Sequence, residues 1–127
     1  MTTDTPPMSR IAITNRQGVL WASAATALGG TAALELETAV LEAANVGRYP
    51  LTVLDMAAIP AVDSAGVGAL VRLQTALATK GRRLILANPQ PAVADELRLR
   101  DLYGFFQVSR DIRPDMEPEE LLLARDA

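Results

Sequence analysis

The sequence predicts a single α/β domain built on a mixed, mostly parallel sheet with packed helices, and three observations carry that prediction. Short apolar runs alternate with segments whose apolar residues recur every three to four positions. Gly, Pro or Asn punctuates each junction between them. The 127 residues, half of them hydrophobic, are enough for one sizeable core. The resulting order is β-β-α-β-α-β-α-β-α, a leading β-hairpin followed by alternating helices and strands. Parallel neighbours need crossover connections, and the alternating helices supply them. No internal repeat, heptad pattern or linker divides the chain.

Taken in order, residues 1–8 are polar and carry Pro6-Pro7, which predicts a disordered leader ahead of a domain spanning 9–127. Arg10 to Thr14 alternates polar and apolar residues, Asn15-Arg16-Gln17-Gly18 is turn chemistry, and Val19 to Ala22 resumes an apolar run, together a hairpin. Ser23 to Gly30 leads out of it. Thr31 is the expected N-cap of a helix reaching about Asn45, with Leu34, Leu41 and either Thr38 or Val40 as its apolar stripe. Val46-Gly47-Arg48-Tyr49-Pro50 stops that helix. Leu51 to Met56 is the next strand and Ser64 to Lys80 the next helix, with Val67, Leu70, Leu73 (or Gln74) and Leu77 on its buried face. Gly81 ends it, and Lys80, Arg82 and Arg83 lie where the helix dipole favours cations. Arg83 to Ala87 is a buried strand, Pro91 opens a helix over Ala92 to Arg100, and Phe105 to Ser109 is the last strand. Pro118 can occupy the first turn of a final helix, Glu119 to Arg125, whose acids suit its N-terminus.

Composition removes several function classes. With 15 acidic and 12 basic residues the net charge is −3, which is no footprint for nucleic acid. The absence of cysteine excludes disulfides and thiolate metal sites. The absence of histidine excludes Ser-His-Asp chemistry, imidazole bases and His-ligated zinc together. The longest uncharged apolar tract, Val19 to Leu34, is shorter than the roughly 18 residues that span a bilayer. These features predict a cytoplasmic protein without membrane insertion, cofactor or metal, and not an enzyme.

The informative stretch is Leu51 to Lys80, in which an apolar strand leads through Pro60 to Asp63-Ser64-Ala65-Gly66-Val67-Gly68 and then to a helix. Asp63 or Ser64 can each serve as a helix N-cap, which explains either residue without any function. Gly66 and Gly68 are harder to explain so simply, since each weakens a helix by roughly 1 kcal/mol relative to alanine. A chain keeps such glycines where another backbone or a partner comes close, so residues 63–68 read as a contact surface as well as a cap. Phosphate on Ser64 would add about −1.5 to −2 charge at a helix start that accommodates anions. Ser64 as a nucleophile lacks a base, and Lys80 lies at the far end of the same helix. Gly66-Val67-Gly68 lacks the Gly-Lys-Ser/Thr ending of a phosphate loop. Asp55 is the polar end of a strand; a phospho-accepting receiver aspartate would need acids after the first strand, and residues 5–34 contain none. Tyr103, Phe105 and Phe106 are expected in the core, and Asp115 with Glu117 to Glu120 at a solvated helix start.

The string VDSAGVGAL between strand and helix, followed by GRRLILANPQPAV and LRDLYGFFQV, resembles the STAS domain of bacterial anti-sigma-factor antagonists. The resemblance extends in element order over about residues 9–111 and in residues over 54–108. It implies that Ser64, directly after Asp63, is phosphorylated by a partner kinase that doubles as the anti-sigma factor. The unphosphorylated antagonist then binds that kinase and frees the sigma factor, phosphorylation ends the binding, and a phosphatase restores it. It also implies that Asp63, Ser64, Ala65, Gly66, Val67 and Gly68 form the partner-binding turn. Two positions depart from the family pattern: Ala65 stands where a second Ser or Thr is common, and Ser23 to Gly30 lacks the usual acidic segment after the second strand. STAS domains serving as scaffold subunits of stress-signalling assemblies, or as accessory subunits of lipid or anion transporters, are the alternative the resemblance allows.

Overall fold

Turn chemistry sets the first element pair. In the structure, a computed structural model that describes residues 10–123, β1 (Ile11–Arg16) and β2 (Val19–Ala24) form an antiparallel hairpin. Gln17 and Gly18 both adopt positive φ, 55° and 78°, the two-residue turn whose twist suits a hairpin. The Asn15 carboxamide accepts the Gly18 N–H at 3.2 Å. Then α1 (Gly30–Gly47) crosses to β3 (Leu51–Asp55), α2 (Ser64–Thr79) to β4 (Arg83–Ala87), and α3 (Pro91–Leu99) to β5 (Gln107–Ser109). A short helix, α4 (Pro118–Leu123), closes the described chain. The sheet order is β1-β2-β3-β4-β5, and every pair after the first is parallel. The expected leader over 1–8 and the expected helix end at residues 124 and 125 lie outside the described residues.

Strand periodicity divides the core between two faces. Leu20, Ala22, Leu54, Leu84 and Leu86 point toward α1, α2 and α3, where they meet Leu36, Val40, Leu70, Leu73 and Leu97. Val19, Trp21, Leu51, Val53 and Ile85 point the other way and are covered by Ile112 and Leu121. Burial on both faces explains why these strands read as nearly continuous apolar runs. One side chain pins the covering segment: Asn88, at φ 56°, donates to the Ile112 carbonyl at 3.0 Å and accepts its N–H at 2.9 Å.

Several local expectations are corrected. Helix α1 starts at Gly30 with Gly29 as its N-cap residue, not at Thr31, and it has no side-chain cap. Its buried stripe is Ala33, Leu36, Val40 and Ala44, while Leu34 is 61% exposed. Two of these core positions are alanines, whose small side chains let the helix lie close to the sheet, so the true phase is hidden from a reading that weights large residues. Arg82 reaches across to donate to the Ala44 carbonyl near the end of α1 at 2.7 Å, so its cation serves that helix rather than α2. Tyr103–Phe105 forms a 3-10 turn, and the last strand starts only at Gln107. Phe106 is buried as expected, but Phe105 is 44% exposed and meets it edge-to-face at 5.1 Å. Tyr103 is half-buried, with the Arg98 guanidinium 4.2 Å above its ring. The stripe expected on α2 matches, with Val67, Leu70, Leu73 and Leu77 all buried.

Thr52 is fully buried in the central strand, and its hydroxyl has no hydrogen-bond partner among the described residues. Replacing it with the near-isosteric valine removes an unpaired polar group and keeps the shape. Thr52→Val should raise stability by about 1 kcal/mol in urea unfolding; a loss of stability would contradict this packing.

Candidate functional site

The site forms where the chain leaves β3 and enters α2. Asp55 closes the strand, its carboxylate accepting the Ala57 N–H at 3.0 Å and the Asn88 side-chain amide at 3.3 Å. It is therefore the polar strand terminus expected of it. The link carries fully buried Ile59 and reaches Asp63, which is extended at φ −111° and ψ −170°. The Asp63 carboxylate accepts the Gly66 N–H at 2.9 Å and is the N-cap of α2. Ser64 is the first helical residue and is exposed. The choice left open in the sequence is thus resolved: Asp63 caps, and the Ser64 hydroxyl forms no hydrogen bond among the described residues.

This turn rests on the loop between β2 and α1. Leu28 donates to the Ala61 carbonyl at 2.9 Å, accepts the Asp63 N–H at 3.2 Å, and forms an isolated parallel bridge with Val62. The pairing brings α2 so close that a methyl group on Gly66 would overlap the Leu28 carbonyl, and one on Gly29 would overlap the Asp63 carboxylate. The glycine at 66 therefore marks a close approach, as its presence in a helix suggested, and what approaches is the chain's own backbone. Gly68 differs. A methyl group there meets only the end of the Arg72 side chain, at 3.3 Å, and no backbone. Of the residues singled out in the sequence, Asp63, Ser64 and Ala65 are exposed and Gly68 is half-buried. Gly66 and Val67 are buried and shape the turn from beneath.

Because of the Leu28 pairing, the acid-free segment Ser23 to Gly30 and the start of α1 lie beside Ser64. Neither α1 nor α2 has an acidic residue in its first turn. An anion on Ser64 would thus meet helix-start amides, with Asp63 as the carboxylate beside it. Further along, Arg72 of α2 grips Glu37 of α1 through both carboxylate oxygens at 2.8 to 3.0 Å. Those hydrogen bonds, and the charge attraction with them, raise the Arg72 pKa above its ordinary value. This clamp joins residues 35 apart in sequence and has no local signature. Among the described residues no group of three or more His, Cys, Asp or Glu side chains could hold a metal ion. No helix among them is long and apolar enough to cross a membrane.

Residues 10–116 match the family model of the STAS domain. Solved structures share the fold. A candidate anti-sigma factor antagonist from Thermotoga maritima is 17% identical with a TM-score of 0.74, covering 88% of this chain and 91% of that one. An anti-sigma factor antagonist from Mycobacterium paratuberculosis is 19% identical with a TM-score of 0.73, covering 98% and 100%. The anti-sigma factor antagonist SpoIIAA in its unphosphorylated form is 18% identical with a TM-score of 0.68, covering 88% and 92%. Its phosphorylated form, from Bacillus, is 17% identical with a TM-score of 0.63, covering 88% and 96%. At these identities the likeness is one of fold. No curated protein sequence matches the chain.

The two glycines of α2 should respond differently to the same change. Gly66→Ala gains about 1 kcal/mol in helix propensity but forces overlap with the Leu28 backbone, for a net loss of about 2 kcal/mol. Gly68→Ala should leave stability unchanged or raise it by up to about 1 kcal/mol. Thermal and urea unfolding of both variants checks this, and equal responses would contradict the close approach at Gly66.

Proposed function

Because the chain belongs to the STAS domain family, we propose that it is a partner-switching antagonist of an anti-sigma factor, with Ser64 as the switch. In the unphosphorylated state the exposed turn Asp63-Ser64-Ala65, with Gly68 behind it, docks on an anti-sigma factor that is also a serine kinase. Docking releases the sigma factor. The kinase passes the γ-phosphoryl group of ATP to the Ser64 hydroxyl oxygen, the hydroxyl proton leaves, and ADP is the second product. A phosphatase reverses the step by hydrolysis. The chain itself acts as a binding module in this cycle.

One observation carries the proposal: Asp63 performs the capping and leaves the Ser64 hydroxyl exposed and unpaired among the described residues. A serine that capped the helix would lose its structural role on modification, and the turn would change with it. Here the hydroxyl can be modified while the cap persists. The helix-start amides stabilise the added anion, so folding tolerates it. A partner surface that fits a neutral hydroxyl beside one carboxylate instead meets about three negative charges, and repulsion of that kind costs several kcal/mol. The partner surface also has to accommodate Ala65 and the acid-free segment Ser23 to Gly30.

Incubation with ATP and histidine-kinase-like anti-sigma factors, followed by phosphate mapping by mass spectrometry, tests the proposal. Transfer should occur at Ser64 and vanish in Ser64→Ala. Ser64→Asp should weaken binding to the same kinase about tenfold or more, while its stability stays within about 1 kcal/mol of the parent. Transfer that survives Ser64→Ala, or failure to bind any such kinase, would favour the scaffold or transporter-accessory reading.

A further inference from the structure

The clamp between α2 and α1 leaves part of its cation unused. The Arg72 guanidinium spends Nε and Nη2 on the two carboxylate oxygens of Glu37. Its third nitrogen, Nη1, makes no hydrogen bond among the described residues and keeps both of its N–H donors. The Glu37 side chain is 14% exposed and that of Arg72 59% exposed, so a sheltered carboxylate fixes a guanidinium that still faces solvent.

The unused donors point along α2 toward its start. Ser64, Gly68 and Arg72 follow at four-residue spacing and share one stripe of the helix surface. Helical side chains lean toward the helix N-terminus, and Nη1 of Arg72 stands 3.3 Å from where a Cβ on Gly68 would be. Nη1 therefore lies over Gly68, about 5–6 Å, one helical turn, from Ser64. Of the two α2 glycines, Gly68 is the one that no backbone contact explains. The missing side chain leaves the way from Nη1 to Ser64 open. Arg72 is also the sole Lys or Arg of α1 and α2, and none stands in residues 49–71.

We propose that Arg72 is the residue that holds the phosphate on Ser64, donating from Nη1 to a phosphate oxygen while Nε and Nη2 keep Glu37. The inference rests on Ser64 as the modified residue. A planar guanidinium can serve two anions along two of its edges, which the point charge of a lysine does not do. Because the fork is in place beforehand, neither helix has to move. The phosphate is drawn back over Gly68 and held in one orientation on α2. The attraction favours its dianion over its monoanion. The Asp63 and Glu37 carboxylates oppose that preference, and the segment Ser23 to Gly30 adds no acid to them.

Phosphoserine placed at 64 during translation gives the modified full chain without a kinase. Phosphorus NMR then reads the second ionisation of the phosphate, ordinarily at about pH 6. Arg72→Gln should raise this pKa by about half a unit or more. Gly68→Leu keeps both charges of the clamp, fills the way between Nη1 and Ser64, and should shift the pKa in the same direction. Because Glu37 keeps its partner in Gly68→Leu, that variant carries the test should Arg72→Gln fail to fold. Lys80→Gln removes a positive charge at the far end of α2 and should leave the pKa unchanged. An unchanged pKa in Arg72→Gln or in Gly68→Leu would overturn the proposal, as would an equal rise in Lys80→Gln. No kinase takes part, so a failure of transfer to Ser64 sinks the switch and leaves this titration readable, whereas a flat titration sinks only the role of Arg72.

Discussion

The close approach of the Leu28 backbone to Gly66 is the constraint on which the site depends. It requires the absence of a side chain at 66, and it is held by hydrogen bonds from Leu28 to Ala61 and from Asp63 to Leu28. Through it, the loop leaving β2 and the link leaving β3 act as one unit, so α1 and α2 begin side by side. Asp63 is fixed twice, by its own backbone and by its carboxylate on the Gly66 N–H. Ser64 is positioned by that framework and contributes no hydrogen bond to it among the described residues. Rigid support beneath a free hydroxyl suits a residue whose covalent state changes while the fold does not.

How far the sequence revealed this differs from element to element. The run Leu51 to Leu54 and the stripe Val67, Leu70, Leu73, Leu77 are large apolar residues at strand and helix periods, and both lie where those periods put them. The face of α1 was not readable in the same way. Alanines at 33 and 44 do the packing while a leucine at 34 faces outward, so residue size misreports the phase. The aromatic trio divides for a related reason: the 3-10 turn at Tyr103–Phe105 rotates Phe105 outward next to buried Phe106. Within the site, both glycines of α2 drew notice from their propensity cost. Only long-range structure separates Gly66, where a Cβ would overlap the Leu28 backbone, from Gly68, where it would meet only the end of the Arg72 side chain. The pairing of Leu28 with Val62 and the Glu37–Arg72 clamp join distant segments and leave no local trace.

Electrostatics set the character of the surface around Ser64. Around Ser64 the charge is sparse, with Asp63 engaged as a cap and the neighbouring segment Ser23 to Gly30 free of acids. A dianion there alters the local field by more than any other group present, which makes modification at that point an effective signal.

The central claim is that phosphate on Ser64 changes the surface and leaves the fold intact. Amide NMR spectra of the chain before and after phosphorylation at Ser64 test it most directly, paired with calorimetric titration of each form against the kinase. Shifts confined to residues 28–31 and 63–68, with loss of kinase binding, are the predicted result. Shifts spreading through the sheet, or unchanged kinase affinity after phosphorylation, would contradict it.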